Sequence, residues 1–338
     1  MAKIRYQSIK FAASSLKIVE QANRILEEYA RRGIVVTLRQ LYYQFVSRDI
    51  IPNKQTEYKR LGGIVNDARL AGLIDWDHLQ DRTRNLERLA HWTEPGGVIE
   101  SAASSYHRDL WEGQDYYVEV WVEKDALLSV IEGPCNKWDV PFFACRGYTS
   151  QSEMWGAGQR LLKRMREGRQ VRIIHLGDHD PSGVDMTRDI SERLGMFAQH
   201  HLIIDYMKAH ERRKKSGKQR EETEEDYLDR IRNDYPGTPL EVNRVALNMN
   251  QIRQYNPPPN PAKLTDSRAT AYIDEHGDES WELDALDPDV LIDLVETNIQ
   301  DYLDLDQWHE METQQERERE VLQEASSRWD EVAEFLSQ

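Results

Sequence analysis

Sulfur is scarce in this chain: Cys135 and Cys145 are the only cysteines in 338 residues. Two thiols near the strand-like stretch VPFFA, with no clustered His or Cys, exclude a disulfide framework and the usual zinc-site spacings. They read as buried thiols in a reducing compartment. Long apolar runs are missing too. No stretch approaches the roughly 18 to 20 residues needed to span a bilayer, and the opening MAKIRYQSIKFAASSLKIVEQ has neither the apolar core nor the cleavage site of a secretory signal. The expectation is a cytoplasmic protein without a membrane partner. No internal repeat is evident. A phosphate-binding G-x-x-x-x-G-K-[ST] loop is also lacking, which argues against an ATPase built on that loop.

What is present suits a folded protein of two or three domains: 338 residues, 39% of them hydrophobic. The net charge of -16 argues at first against a nucleic-acid partner, because phosphate contacts need clustered Lys and Arg. Its distribution changes that reading. Residues 1–90 hold 16 Lys and Arg against 10 Asp and Glu, residues 91–263 hold 24 against 27, and residues 264–338 hold 4 against 23. The N-terminal part is basic and the acidity is C-terminal, a sign asymmetry that can mark a nucleic-acid-binding module.

Apolar positions at helical spacing predict helices over 8–31 and 37–48, the second with Thr37 as its N-cap. EYKRLGGIVNDARLAGLI predicts a third, broken or kinked at Gly62-Gly63 and closed by Gly72. Three short helices, a wing of strands and a basic balance suit a winged-helix DNA-binding domain over 1–100, with EPGGVIESAASS as a linker. From Tyr116 the pattern changes. YYVEVWVEK, VPFFACRGY and VRIIHLGD are strand-like and alternate with helical segments, which predicts an α/β second domain over 113–338 with a mainly parallel sheet. The whole is thus a multi-domain α+β chain. The run HERRKKSGKQREETEEDYLDR reads as a solvated charged insert at about 208–235. The C-terminal residues form an acidic helical tail, with Trp308, Val321, Leu322, Trp329 and Phe335 as possible contact positions.

In a parallel sheet, functional groups gather beyond the carboxyl ends of the strands. Glu123 ends one strand, and Asp178 and Asp180 end another in IIHLGDHDPSGVDM. Carboxylates converging there would raise one another's pKa unless a cation lies between them, and a hard cation such as magnesium takes oxygen ligands. A magnesium site is one reading. The other is that these acids cap helices and face solvent, since Asp before a helix is common. Ser182-Gly183 also offers backbone N–H groups to an approaching phosphate.

VEK after an apolar strand, followed by an apolar strand ending in D-x-D-P-x-G, resembles the Toprim domain of topoisomerases, primases and related nucleases. With RVALNMNQIRQYNPPPNPAK and WELDAL downstream, the chain is similar to the A subunit of topoisomerase VI and to the related meiotic double-strand-break protein. TLRQLYYQF resembles that family's segment in which an arginine precedes the catalytic tyrosine by four positions, and RLGGIVNDARLAGLI its winged-helix segment. The resemblance spans roughly residues 30–300. Residue by residue it implies Tyr43 as nucleophile, Arg39 as its supporting cation, and Glu123, Asp178 and Asp180 as ligands of magnesium or manganese. It further implies a Rossmann-like Toprim fold, double-stranded DNA as substrate and 5′-phosphotyrosyl ends as product. A homodimer is also implied, in which one protomer's tyrosine meets the other's metal, as is an ATPase B-type partner subunit.

Tyrosine chemistry needs help: with an ordinary pKa near 10, a phenol is a poor nucleophile at neutral pH without a base or nearby cation. Arg39 lies one helical turn before Tyr43 and can supply that charge. A hydrolytic Toprim nuclease that activates water, and an inactive DNA-binding subunit, are the alternatives. Tyr42 reads as core. His175 and His179 read as structural, His179 with a possible role in orienting a phosphate or water, while Lys124 and Arg146 border the carboxylates.

Overall fold

The computed structural model describes residues 3–79, 91–215, 239–262 and 266–336, together with Thr223 and Asp226. The N-terminal unit is helical. Helix α1 (Ala13–Ala30) presents Ile18, Val19, Ala22, Ile25, Leu26 and Tyr29 along one stripe. It packs with α2 (Leu38–Ser47) and α3 (Gln55–Leu70), whose buried Leu41, Phe45, Leu61 and Val65 complete a shared core. As the sequence predicts, Thr37 caps α2: its side chain accepts from the Gln40 backbone N–H, and the Gln40 side chain reaches back in a capping box.

Two expectations for this unit are corrected. Helix α3 runs unbroken through Gly62-Gly63. A Cβ on Gly62 would lie 3.1 Å from Leu38 Cδ2, so its lack of a side chain serves the close packing of two helices. The supposed linker is helix α4 (Pro95–Ser105), begun by a proline at its first turn. Trp329 packs on Gly96, so the C-terminal region supplies the tertiary contact that composition could not reveal. Of the expected wing, strand-type pairing among the described residues is limited to a single bridge between Val36 and Leu79, and residues 80–90 lie outside them.

The second unit is α/β, as expected. Strands β1 (Tyr116–Val122), β2 (Phe142–Ala144), β3 (Gln170–Leu176) and β4 (Leu240–Ala246) form an all-parallel sheet in the order β2-β1-β3-β4. Side chains alternate across it. Val118, Val120, Val122, Ile174 and Leu176 meet α5 (Leu128–Lys137) and α10 (Pro288–Gln300) on one face. Tyr117, Trp121, Val171 and Ile173 meet α6 (Gln151–Arg166) and α7 (Pro181–Lys215) on the other. Burial on both faces explains why β1 and β3 read as nearly continuous apolar runs. The exception in β1 is Glu119, which is buried but accepts from Tyr117 Oη, Trp121 Nε1 and Arg160, all at 2.8–2.9 Å.

Beyond β4 come α8 (Met249–Tyr255) and α9 (Ala269–His276), with β5 (Asn260–Pro261) and β6 (Glu279–Ser280) pairing antiparallel. The long α11 (Leu305–Ser327) and α12 (Trp329–Leu336) end the described chain. Of the expected tail contacts, Trp308 is buried, whereas Val321 and Phe335 are 67% and 76% exposed. The charged insert expected at about 208–235 lies mostly outside the described residues. Cys135 and Cys145 are buried free thiols, and burial pushes each up to about 12. Among the described residues, no helix is long and apolar enough to cross a membrane.

Candidate active site

The strand order fixes where a site should form. The chain leaves β1 toward β2 on one side, then crosses back to β3 on the other, so the connections diverge beyond the carboxyl ends of β1 and β3 and open a crevice there. Glu123 follows β1, and Asp178 and Asp180 follow β3. All three occupy that crevice. Glu123 Oε2 accepts the Asp178 backbone N–H at 2.8 Å. Asp180 Oδ1 accepts from the Gly183 N–H at 2.7 Å and the Ser182 hydroxyl at 2.9 Å, which makes it the cap of α7 with Pro181 in the first turn. Asp180 therefore caps a helix, but it is buried and does not face solvent. At Gly183 a Cβ would collide with the Asp178 carbonyl oxygen and reach 3.1 Å from Glu123 Oε2, so only glycine fits this turn.

Asp178 is 6% exposed and uses both oxygens. Oδ1 accepts from the Leu283 N–H and Oδ2 pairs with Lys124 Nζ, each at 2.8 Å. Burial, only partly offset by Lys124 and reinforced by Glu123, raises its pKa to about 7. Burial also raises that of Glu123, with the Asp180 charge adding to the effect.

Residues that sequence reasoning missed complete the arrangement. Glu282 and Asp284, around a short 3-10 turn at Leu283–Ala285, face Lys124 Nζ at 2.8 and 2.9 Å. Burial opposes the charge on Lys124, yet Asp284, Asp178 and Glu282 together hold its pKa above the ordinary lysine value. Arg244, from β4, donates to the Gly177, Asp178 and Gly183 carbonyls and to Thr187 Oγ1, fastening the loop that carries the aspartates. Their signal was faint. WELDAL and VNRVA each set charged residues among apolar ones, a pattern that also fits any half-exposed strand or turn.

The helical unit meets the crevice through charge. Arg39 pairs with Glu282, and its Nε lies 2.7 Å from Asp284 Oδ2. Tyr29 Oη donates to Asp287 at 2.9 Å, and Asn53 Nδ2 to Asn260 Oδ1 at 2.7 Å. Arg39 and Lys124 therefore share two acids, and the candidate tyrosine helix and the carboxylate crevice form one polar network. The Arg39 guanidinium stands 6.0 Å from the Tyr43 ring centroid, one turn along α2. Tyr43 lines a cleft of about 290 Å³ with Arg39, Tyr42, Asn53, Gln55, Tyr58, Asn260 and Glu282. Its hydroxyl has no hydrogen-bond partner among the described residues. Tyr42, by contrast, donates to Asn53 Oδ1 at 3.0 Å and accepts from the Lys54 N–H at 2.8 Å, in keeping with a core role. Burial, with Asp284 and Glu282 nearby, raises the Tyr43 pKa, against the lowering influence of Arg39 and Lys124.

His175 and His179 are buried and bonded to Thr187 Oγ1 and Tyr272 Oη, each at 2.8 Å, as structural histidines should be. Burial lowers their pKa values to about 3 and about 4. Arg146 is exposed and paired with Asp125.

For a divalent cation, Glu123, Asp178 and Asp180 fit by chemistry: they are an all-oxygen donor set, and a dication would favour the ionised forms of Glu123 and Asp178, whose pKa values burial raises. Among the described residues, no three His, Cys, Asp or Glu side chains already converge as a metal-holding group. The Lys124 ammonium takes an oxygen of Asp178 instead. No family model matches the chain, and no curated protein matches it either.

Proposed function

We propose that this chain is a metal-dependent DNA-cleaving enzyme of the topoisomerase VI A type, built from a winged-helix unit and a Toprim unit, with Tyr43 as nucleophile. The observation that carries the proposal is the Tyr43 hydroxyl, without a hydrogen-bond partner among the described residues, in a cleft one turn from an arginine joined through shared acids to the carboxylate crevice. Strand cleavage forms a bond from the Tyr43 oxygen to phosphorus and breaks the bond to the 3′ oxygen. The 3′ oxygen leaves with a proton, and the 5′ phosphate stays on the enzyme, so the break can be resealed. Arg39 is the group suited to a phosphate oxygen, since its charge is permanent and its fork planar. A DNA phosphate would compete with Glu282 for that fork and at the same time move a carboxylate away from the phenol. Magnesium or manganese on Glu123, Asp178 and Asp180 would supply charge neutralisation at the phosphate. Double-stranded DNA is the proposed substrate, and a homodimer or an ATPase subunit the proposed assembly.

One observation favours a second reading. The Tyr43 phenol is shifted away from ionisation, whereas the crevice acids have raised pKa values suited to proton transfer, so the same site could activate water as a hydrolytic nuclease. The test is incubation with end-labelled and supercoiled DNA plus magnesium or manganese, followed by denaturing separation with and without protease. Protein-linked 5′ ends that vanish in Tyr43→Phe and in Asp178→Asn support transesterification. Free ends that survive Tyr43→Phe but not Asp178→Asn establish the nuclease. Intact DNA under every condition, with binding retained, would make the chain a DNA-binding subunit.

A further inference from the structure

The cleft beside Tyr43 has a composition that phosphate chemistry alone does not require. Two of its walls are tyrosine rings: Tyr42 meets both Tyr43 and Tyr58 edge-to-face, with centroids 5.3 Å apart in each pair. The rest of the lining is largely amide. Gln55 precedes Tyr58 by three positions on α3 and so shares its face, while Asn53 and Asn260 approach from the two units and bond to each other. At about 290 Å³ the space is at the small end of ligand pockets, so it suits one nucleotide and not a base pair. Aromatic faces combined with amide edges are the chemistry that holds an unstacked base.

Taken with the proposed DNA cleavage, on which this inference rests, we propose that the cleft receives one unstacked nucleobase next to the scissile phosphate, packed on Tyr58 with Gln55 at its polar edge. Tyr43 and Arg39 then face the phosphate attached to that base. The substrate at the moment of cleavage is a duplex locally opened by one nucleotide. Sequence preference arises at that position, from Gln55, because the Asn53 amide is already bonded to Tyr42 and Asn260, with no further base contact needed. Tyr42 is spent on Asn53 and Lys54 and serves as a fixed backing for the other two rings.

The experiment is a photocrosslinking scan with the full chain carrying Tyr43→Phe, which keeps the ring and blocks phosphotyrosine formation. Duplexes bearing 4-thiothymidine at successive positions are irradiated and the attached residue is identified by peptide mass. The expected result is one position that crosslinks to Tyr58 or Gln55. That crosslink should fall at least tenfold in Tyr58→Leu and in Gln55→Ala, while overall DNA affinity changes less than about threefold because phosphate contacts dominate it. Gln55 is exposed, so its variant folds even if Tyr58→Leu does not. Crosslinks only to residues outside the cleft, with DNA bound, would overturn the base pocket and leave the cleavage proposal standing. The expected crosslink in a protein that never cleaves DNA would support the pocket and overturn the cleavage proposal. Absence of any DNA binding would overturn both.

Discussion

Replacing Lys124 with methionine removes one ammonium from three carboxylates at once. Its Nζ lies 2.8 Å from Asp178, 2.8 Å from Glu282 and 2.9 Å from Asp284, in a side chain only 19% exposed. Arg39 remains on Glu282 and Asp284, so the deficit falls mainly on Asp178. Removing one partner from a buried ion pair costs about 3–5 kcal/mol, because the other is left buried and uncompensated. The cost depends on pH with a definite sign. Asp178 already has a folded-state pKa raised to about 7, and losing Lys124 raises it further. A raised folded pKa means that the folded state binds the extra proton, so stability falls as pH rises, by up to about 1.4 kcal/mol per pH unit for one proton. Urea unfolding of Lys124→Met should show a loss of about 3 kcal/mol at pH 8 that shrinks markedly by pH 6. Magnesium should return part of the loss at pH 8 by entering the oxygen-rich crevice. A loss below 1 kcal/mol at pH 8, or one that does not vary with pH, would refute the view that Lys124 serves as the resident cation.

Three further outcomes follow from other parts of the structure. Glu119→Ala strands Tyr117 Oη, Trp121 Nε1 and Arg160 in or beside the sheet core and should cost roughly 3 kcal/mol, with Glu119→Gln recovering part, as thermal or urea unfolding can measure. Gly183→Ala drives a Cβ into the Asp178 carbonyl and should cost about 1–3 kcal/mol. If the chain cleaves DNA as proposed, the variant should lose that cleavage at temperatures where circular dichroism shows it folded, and retained cleavage would mean that the turn does not position the aspartates. In acid, His175 and His179 have lowered folded pKa values, so their contribution is lost as pH falls below about 6.5, whereas Asp178 gains as pH falls through 7. Asp178→Asn removes the opposing gain and should steepen the loss between pH 6.5 and 5 by about 1.4 kcal/mol per pH unit, and equal slopes would show that Asp178 carries no proton there.

Legibility in the sequence followed how local the physical cause was. The α2 cap was readable because Thr37 and Gln40 are three residues apart, and β1 and β3 because burial on both faces makes them continuous apolar runs. Strand β4, with Glu241, Asn243 and Arg244 among its seven residues, lies at the sheet edge and lacks that signature. The EPGGVIESAASS helix was missed because its Gly and Ser content reads as loop, and its packing partners, α11 and Trp329, come about two hundred residues later. The site divides the same way. Glu123, Asp178 and Asp180 announce themselves by ending strands, and Arg39 and Tyr43 by their helical spacing. Glu282, Asp284 and Arg244 do not, because the partners that hold them in the site lie 57 to 243 residues away and only the fold brings them together. Those residues change the chemistry expected of the site. Read from the sequence, the carboxylates are repelling charges in need of a metal. In the folded chain Lys124 already neutralises part of that charge, and Arg39 is held by the same acids. A metal ion and a DNA phosphate would each displace one of these internal ion pairs, so occupation of the crevice and exposure of the tyrosine become coupled through Glu282 and Asp284.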